Sequence, residues 1–263
     1  MSRFRLLVEY AGTRYSGWQI QKNARTVQGE IAASTRVVSG RTDFELYGSG
    51  RTDAGVHALG QVAHLDLETR LLPAPLRHAL NDNLPADIHI LSAEKVPRAF
   101  HARHDAKSRS YLYQISRRRT AFAKPFVWWI KDPLDVARMR LATPHFSGMN
   151  DFRSFTDKDP EEASTQVLLE GIEIAEEGAL VLIRIRGSHF LWKMVRRIVG
   201  VLAEVGRGAM VPRDVARLLR EDSLVPARLT APPSGLFLER VFYSDGERNP
   251  PLKGVVNIQA TPV

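Results

Sequence analysis

A carboxylate set between glycines and beside an arginine can act as a nucleophile. The stretch Tyr47-Gly48-Ser49-Gly50-Arg51-Thr52-Asp53-Ala54-Gly55-Val56-His57-Ala58 offers one in Asp53. Its core is duplicated: Ser39-Gly40-Arg41-Thr42-Asp43 spells the same five residues as Ser49-Gly50-Arg51-Thr52-Asp53. Two phosphate-binding readings of the glycines fail. A Walker loop needs lysine after its second glycine, where Val56 follows Gly55, and a dinucleotide fingerprint needs glycine where Asp53 stands. Asp53, His57, His64 and Asp66 could ligate a metal, but their spacing matches no standard ligand set. A tight strand-connecting turn is the plain alternative for this loop.

Two further clusters carry chemistry. In Lys107-Ser108-Arg109-Ser110-Tyr111-Leu112-Tyr113-Gln114-Ile115, strand alternation puts Tyr111 and Tyr113 on one face. Aromatics interleaved with cations suit base stacking and phosphate binding, whereas the plain alternative is a strand with an aromatic core face. In Phe190-Leu191-Trp192-Lys193-Met194-Val195-Arg196-Arg197-Ile198, residues Phe190, Met194, Ile198 and Leu202 fall at helical spacing. Arg196 then lies at the edge of the buried face, where an arginine needs a carboxylate partner. His101-Ala102-Arg103-His104-Asp105 has a ligand-like rhythm, yet the cations around it favour an RNA-facing or linker role.

These groups must be held by regular elements. The pattern predicts strands over residues 4–10, 44–47, 62–67, 88–96, 110–116 and 235–243, and a hairpin of 167–175 with 179–186 across Glu176-Glu177-Gly178. It predicts helices over 27–38, capped by Thr26, and over 73–84, 133–143, 190–205 and 212–220. The grammar is that of an α+β protein in two halves, an N-terminal half over 1–103 carrying the loop and a C-terminal half over 104–244. Residues 245–263 read as a mobile tail.

Composition bounds the partners. The 263 residues are 44% hydrophobic and 25% charged, and no apolar run approaches the ~18 residues of a membrane span. There is no cysteine, which excludes disulfides and thiolate sites and fits a cytoplasmic protein. The N-terminus leads directly into strand-like sequence and offers no signal-peptide core. A net charge of +8, rich in arginine, suggests a polyanionic partner.

Gly50-Arg51-Thr52-Asp53-Ala54-Gly55-Val56-His57-Ala58 resembles the signature of the TruA family of tRNA pseudouridine synthases. Tyr10-Ala11-Gly12 with Gly17-Trp18-Gln19, Phe100-His101-Ala102-Arg103, Arg109-Ser110-Tyr111-Leu112-Tyr113, Asn150-Asp151-Phe152-Arg153-Ser154-Phe155, Met194-Val195-Arg196 and Ala231-Pro232-Pro233-Ser234-Gly235-Leu236 extend the likeness over residues 3–243. The resemblance implies the pseudouridine synthase fold, two α/β halves with mixed sheets flanking a basic cleft, in a homodimer. It implies isomerisation of uridines 38, 39 and 40 in the tRNA anticodon arm, with Asp53 as nucleophile. Tyr111 would contact the target base, Arg51 and Arg196 would surround the aspartate, and Leu236 would line the pocket. Such an isomerisation needs no cofactor and no metal. Whether Asp53 attacks sugar or base, or acts through a glycal route, stays open. Phe237 stands where the family commonly has tyrosine, and Thr165-Gln166 replaces a frequent Thr-Arg pair. The acidic run 157–162 is expected to be a loop set back from RNA. The rival readings are a non-catalytic RNA-binding protein and, more distantly, a metal hydrolase built on the histidines.

Overall fold

The computed structural model describes residues 1–157 and 164–260, which form two compact units. The first comprises Met1–Lys107 and Phe237–Glu247. It opens with β1 (Ser2–Tyr10), whose alternation buries Phe4, Leu6, Val8 and Tyr10 on one side. Helix α1 (Val27–Ser39) starts where Thr26 accepts from the Gly29 N–H at 3.2 Å, as the sequence predicts, and its face of Val27, Ile31, Ala32 and Thr35 is buried. Then come β2 (Glu45–Gly48), β3 (His57–Leu67), α2 (Pro73–Asp82) and β4 (Ile88–Val96). Strand β1 lies antiparallel between β3 and β4, and β2 pairs with β3 so that Tyr47 faces His64.

Strand β3 begins five residues before the predicted start at residue 62, because His57 already pairs with Phe237, and Ala58 with Tyr10 on one side and Leu238 on the other. It is buried on both faces, and the segment after β4 explains why. There the Arg3 guanidinium donates to the Arg98 and Phe100 carbonyls and to Asp66, while the Ala102 N–H donates to His64 Nδ1 at 3.1 Å.

The second unit comprises Ser108–Leu236 and Arg248–Val263. Its elements are β5 (Ser108–Ser116), β6 (Trp128–Trp129), α3 (Val136–Ala142), β7 (Gly148–Asp151), β8 (Gln166–Glu177), β9 (Leu180–Gly187), α4 (Met194–Gly206), α5 (Asp214–Arg220) and α6 (Val225–Arg228). The sheet order is β5-β9-β8-β7, with β6 added in parallel to β5. Asp135, rather than Pro133, starts α3 by accepting from the Arg138 N–H at 3.0 Å. The chain ends its last strand, β10 (Leu236–Phe242), against β3 of the first unit, where Phe237 and Leu238 pair in parallel with His57 and Ala58.

Three expectations change. Residues 237–247 belong to the first unit, so the chain does not divide once near 103; strand pairing across nearly two hundred residues leaves no local mark. The predicted helix over 190–205 starts only at Met194, since Lys193 takes the left-handed φ of 61° and forms a turn with Trp192. The segment read as a mobile tail is docked over part of its length: Gly254 N–H donates to Glu177, Val255 N–H to the Gln114 side chain, and Ala179 N–H to the Ile258 carbonyl. Ile258 is buried there, and its carbonyl's partner, Ala179, lies nearly eighty residues away, out of reach of local pattern. Beyond Asp157, the acidic run expected to stand back from RNA lies outside the described residues.

Candidate active site

The loop carrying Asp53 runs from the end of β2 to the start of β3, and residues 10–18 fasten it at four points. The Tyr10 hydroxyl and Thr52 Oγ1 are 2.8 Å apart, both buried. The Trp18 N–H donates to the Thr52 carbonyl at 3.1 Å, and the Gly55 N–H donates to the Tyr15 carbonyl at 3.2 Å. The Gly12 N–H donates to His57 Nδ1 at 3.0 Å. Gly12 is required by close approach, because a Cβ there would lie 1.9 Å from the Val56 carbonyl oxygen. Gly17 has φ of +90° and a Cβ there would lie 2.4 Å from the Thr52 oxygen.

From the β3 side, Ser49 donates to the Gln61 side-chain oxygen at 2.7 Å, and Gln61 donates in turn to the Gly50 carbonyl. Gln61 and Ser49 are fully buried, so losing either partner would strand a desolvated polar group. Asp53 itself sits half-buried at a turn closed by the Val56 N–H donating to its carbonyl. Arg51 is exposed. His57 is buried with its ring stacked on Phe237 at 4.7 Å.

The other candidate residues belong to the second unit. Tyr111 is buried on β5 and meets the Phe190 ring edge-on at 5.0 Å. Tyr113 shares its face, as alternation predicts, and donates its hydroxyl to the Pro232 carbonyl at 2.7 Å. Burial holds the Tyr113 phenol well above its ordinary range, against the opposing pull of Arg196, so it stays protonated. Arg196 is half-buried as expected, and its Nε donates to the Ala231 carbonyl at 2.7 Å while the Ala231 N–H donates to the Arg196 carbonyl. That exchange secures the Ala231-Pro232-Pro233-Ser234-Gly235-Leu236 segment, in which Leu236 is buried at the head of β10.

Arg197, the next residue along, has a carboxylate partner of its own. Arg197 is 3% exposed and pairs with Asp157, which also accepts from Lys193 at 2.8 Å. Lys193, first, and Arg197 hold the Asp157 carboxyl below its ordinary range, opposing the effect of burial. Helical periodicity places both arginines near the core, and Asp157 meets the second of them. The residues of the metal alternative are engaged otherwise: His57 and His64 accept backbone N–H groups and Asp66 accepts from Arg3. No group of three or more His, Asp or Glu placed to hold a metal occurs among the described residues. Sequence reasoning missed the roles of Tyr10, Gly12 and Thr52 as loop fasteners, although all three lie in stretches that carried the family likeness.

A family model described as tRNA pseudouridine synthase matches residues 6–105 and 142–244. The chain is 42% identical over 245 residues to tRNA pseudouridine synthase A of Geotalea uraniireducens, covering 92% of this chain and 100% of that one. It is 39% identical over 248 residues to the protein of the same name from Exiguobacterium sibiricum, covering 94% and 99%, and 41% identical over 246 residues to that of Afipia carboxidovorans, covering 92% and 100%.

Proposed function

This chain belongs to the tRNA pseudouridine synthase family, and on that premise we propose that it isomerises uridines 38, 39 and 40 of the tRNA anticodon arm with Asp53 as nucleophile. The observation that best supports this reading is the fastening of the Asp53 loop on both flanks. A merely connecting turn needs no buried hydroxyl pair and no glycine approach beneath it. An enzyme does need one, since catalysis depends on a reacting group held within a fraction of an ångström.

The reaction detaches uracil by breaking the N1–C1′ bond, turns the base over and joins C5 to C1′. The C5 proton leaves and N1 gains one, so atoms balance without an oxidant or a second substrate. Negative charge develops on the departing uracil, and donors such as Arg51 and Arg196 would stabilise it or its phosphates. Tyr111 would stack on the target base, offsetting part of the few kcal/mol spent on flipping it out of the stem. Leu236 would supply an apolar contact in the pocket. No cofactor enters the scheme. A cytoplasmic homodimer, as the resemblance implies, completes the proposal, and no helix among the described residues is long and apolar enough to cross a membrane.

The test is pseudouridine mapping of tRNA from cells lacking the gene, complemented with wild type, Asp53→Asn or Asp43→Asn. Wild type and Asp43→Asn should restore modification at 38–40, and Asp53→Asn should not. Restoration by Asp53→Asn would sink the nucleophile reading, and modification only at other positions would sink the anticodon-arm specificity.

A further inference from the structure

We infer that Tyr10 is a positioning residue for the reaction, acting on Asp53 through the hydroxyl of Thr52; this rests on the proposed role of Asp53. Tyr10 is the last residue of β1, on the strand side that buries Phe4, Leu6 and Val8, and the β1–β3 register is irregular just before it. Irregularities of this kind re-aim a side chain. Here the phenol is carried to 2.8 Å from Thr52 Oγ1. Tyr10 is 4% exposed and Thr52 7%, so two hydroxyls are desolvated together beside the proposed nucleophile. A valine at 52 and a phenylalanine at 10 would fill similar space without any polar group to satisfy.

What the hydroxyl pair adds is direction. The Thr52 carbonyl is already held by the Trp18 N–H and lies over Gly17, so the backbone before Asp53 is pinned at one atom. A single hydrogen bond leaves rotation about its own axis. The Tyr10 contact on the side chain of the same residue supplies a second fixed point and removes that rotation. The peptide that carries Asp53 therefore has one orientation. The Tyr10 ring, tilted against Trp18 at 6.0 Å, is in turn kept from swinging away. Among the described residues the Arg41-Thr42-Asp43 copy has no equivalent, and there Thr42 is exposed.

The experiment is single-turnover pseudouridine formation on a tRNA transcript, with binding measured separately and melting followed by circular dichroism. Tyr10→Phe and Thr52→Val should each lower the rate at saturating enzyme by about tenfold or more, as expected when a reacting group loses its alignment. Transcript affinity should stay within about twofold and both proteins should melt cooperatively. The double variant should be no slower than the slower single one, because both remove the same contact. Thr52→Ser should restore most of the rate. Wild-type rates in Tyr10→Phe, or single effects that multiply in the double variant, would overturn the inference while leaving Asp53 as nucleophile. Wild-type turnover in Asp53→Asn would remove the nucleophile reading, and the positioning role with it.

Discussion

Asp43 and Asp53 close identical Ser-Gly-Arg-Thr-Asp stretches, yet their arginines behave oppositely. In the first copy, Ser39 ends α1, Gly40 caps it with φ of 66°, and Arg41 folds back onto Asp43 with Nε 2.9 Å from Oδ1. Glu68 adds a second acidic partner at 3.0 Å, and the Asp43 side chain is 61% exposed. In the second copy, Ser49 and Thr52 are buried and bonded to Gln61 and Tyr10, and Arg51 makes no hydrogen bond or ion pair among the described residues. Left alone, Arg-Thr-Asp pairs with itself. Fastening the serine and threonine on either side of the arginine leaves its guanidinium exposed, available to a phosphate or a departing base. Five shared residues thus yield a solvated turn in one place and a candidate catalytic loop in the other.

The widest separation between the copies should appear in turnover. Asp53→Asn should lose about a thousandfold or more in single-turnover rate, as removal of a nucleophile does, while Asp43→Asn stays at the wild-type rate. Comparable losses in both would abolish the distinction.

Next come the glycines beneath each copy. Gly12→Ala drives a methyl into the Val56 carbonyl and should cost about 3 kcal/mol or more in urea unfolding, with turnover collapsing alongside. Gly40→Ala meets nothing within 4 Å and pays only for its left-handed φ, about 1–2 kcal/mol, with turnover per folded molecule unchanged.

Acid should act on the second copy's support. Tyr47, which leads into that loop, stacks on His64 at 5.5 Å, and burial first, then Arg3 and His101, lower the His64 pKa from 6.5 to about 4. Between those values the unfolded chain binds the proton and the folded protein does not. Stability from this group is therefore complete above pH 6.5 and is lost as pH falls towards 4. His64→Gln should flatten the slope of melting temperature across that window; an unchanged slope would show that other groups carry it.

The smallest effect should be on stability in Asp43→Asn. Its carboxyl is held below the ordinary range chiefly by the hydrogen bond from Arg41, but the pair is solvent-exposed and screened. No change in urea midpoint is expected in moderate salt, and a clear drop would mean that the first copy is structural after all.

Much of this was legible along the chain. The Thr26 cap, the α1 face, strand β4 and the shared face of Tyr111 and Tyr113 follow from period and capping chemistry, which act within a few residues. The start of α4 was not legible, because Phe190 fits the helical period yet packs on Tyr111 instead. Nor was the ion pair of Arg197 with Asp157, since it joins residues forty positions apart.

The amino-acid sequence by itself determined which of two identical pentapeptides carries the family signature, through the Ala-Gly-Val-His-Ala that follows only the second. It also determined that Asp53 would sit in a turn before a strand. Tertiary structure alone decided why that turn is rigid. Tyr10, Gly12 and Trp18 reach it from some forty residues upstream, and Phe237 reaches its histidine from the far end of the chain. Contacts at such separations leave no periodicity to read, because they arise from which strands pair and in what register.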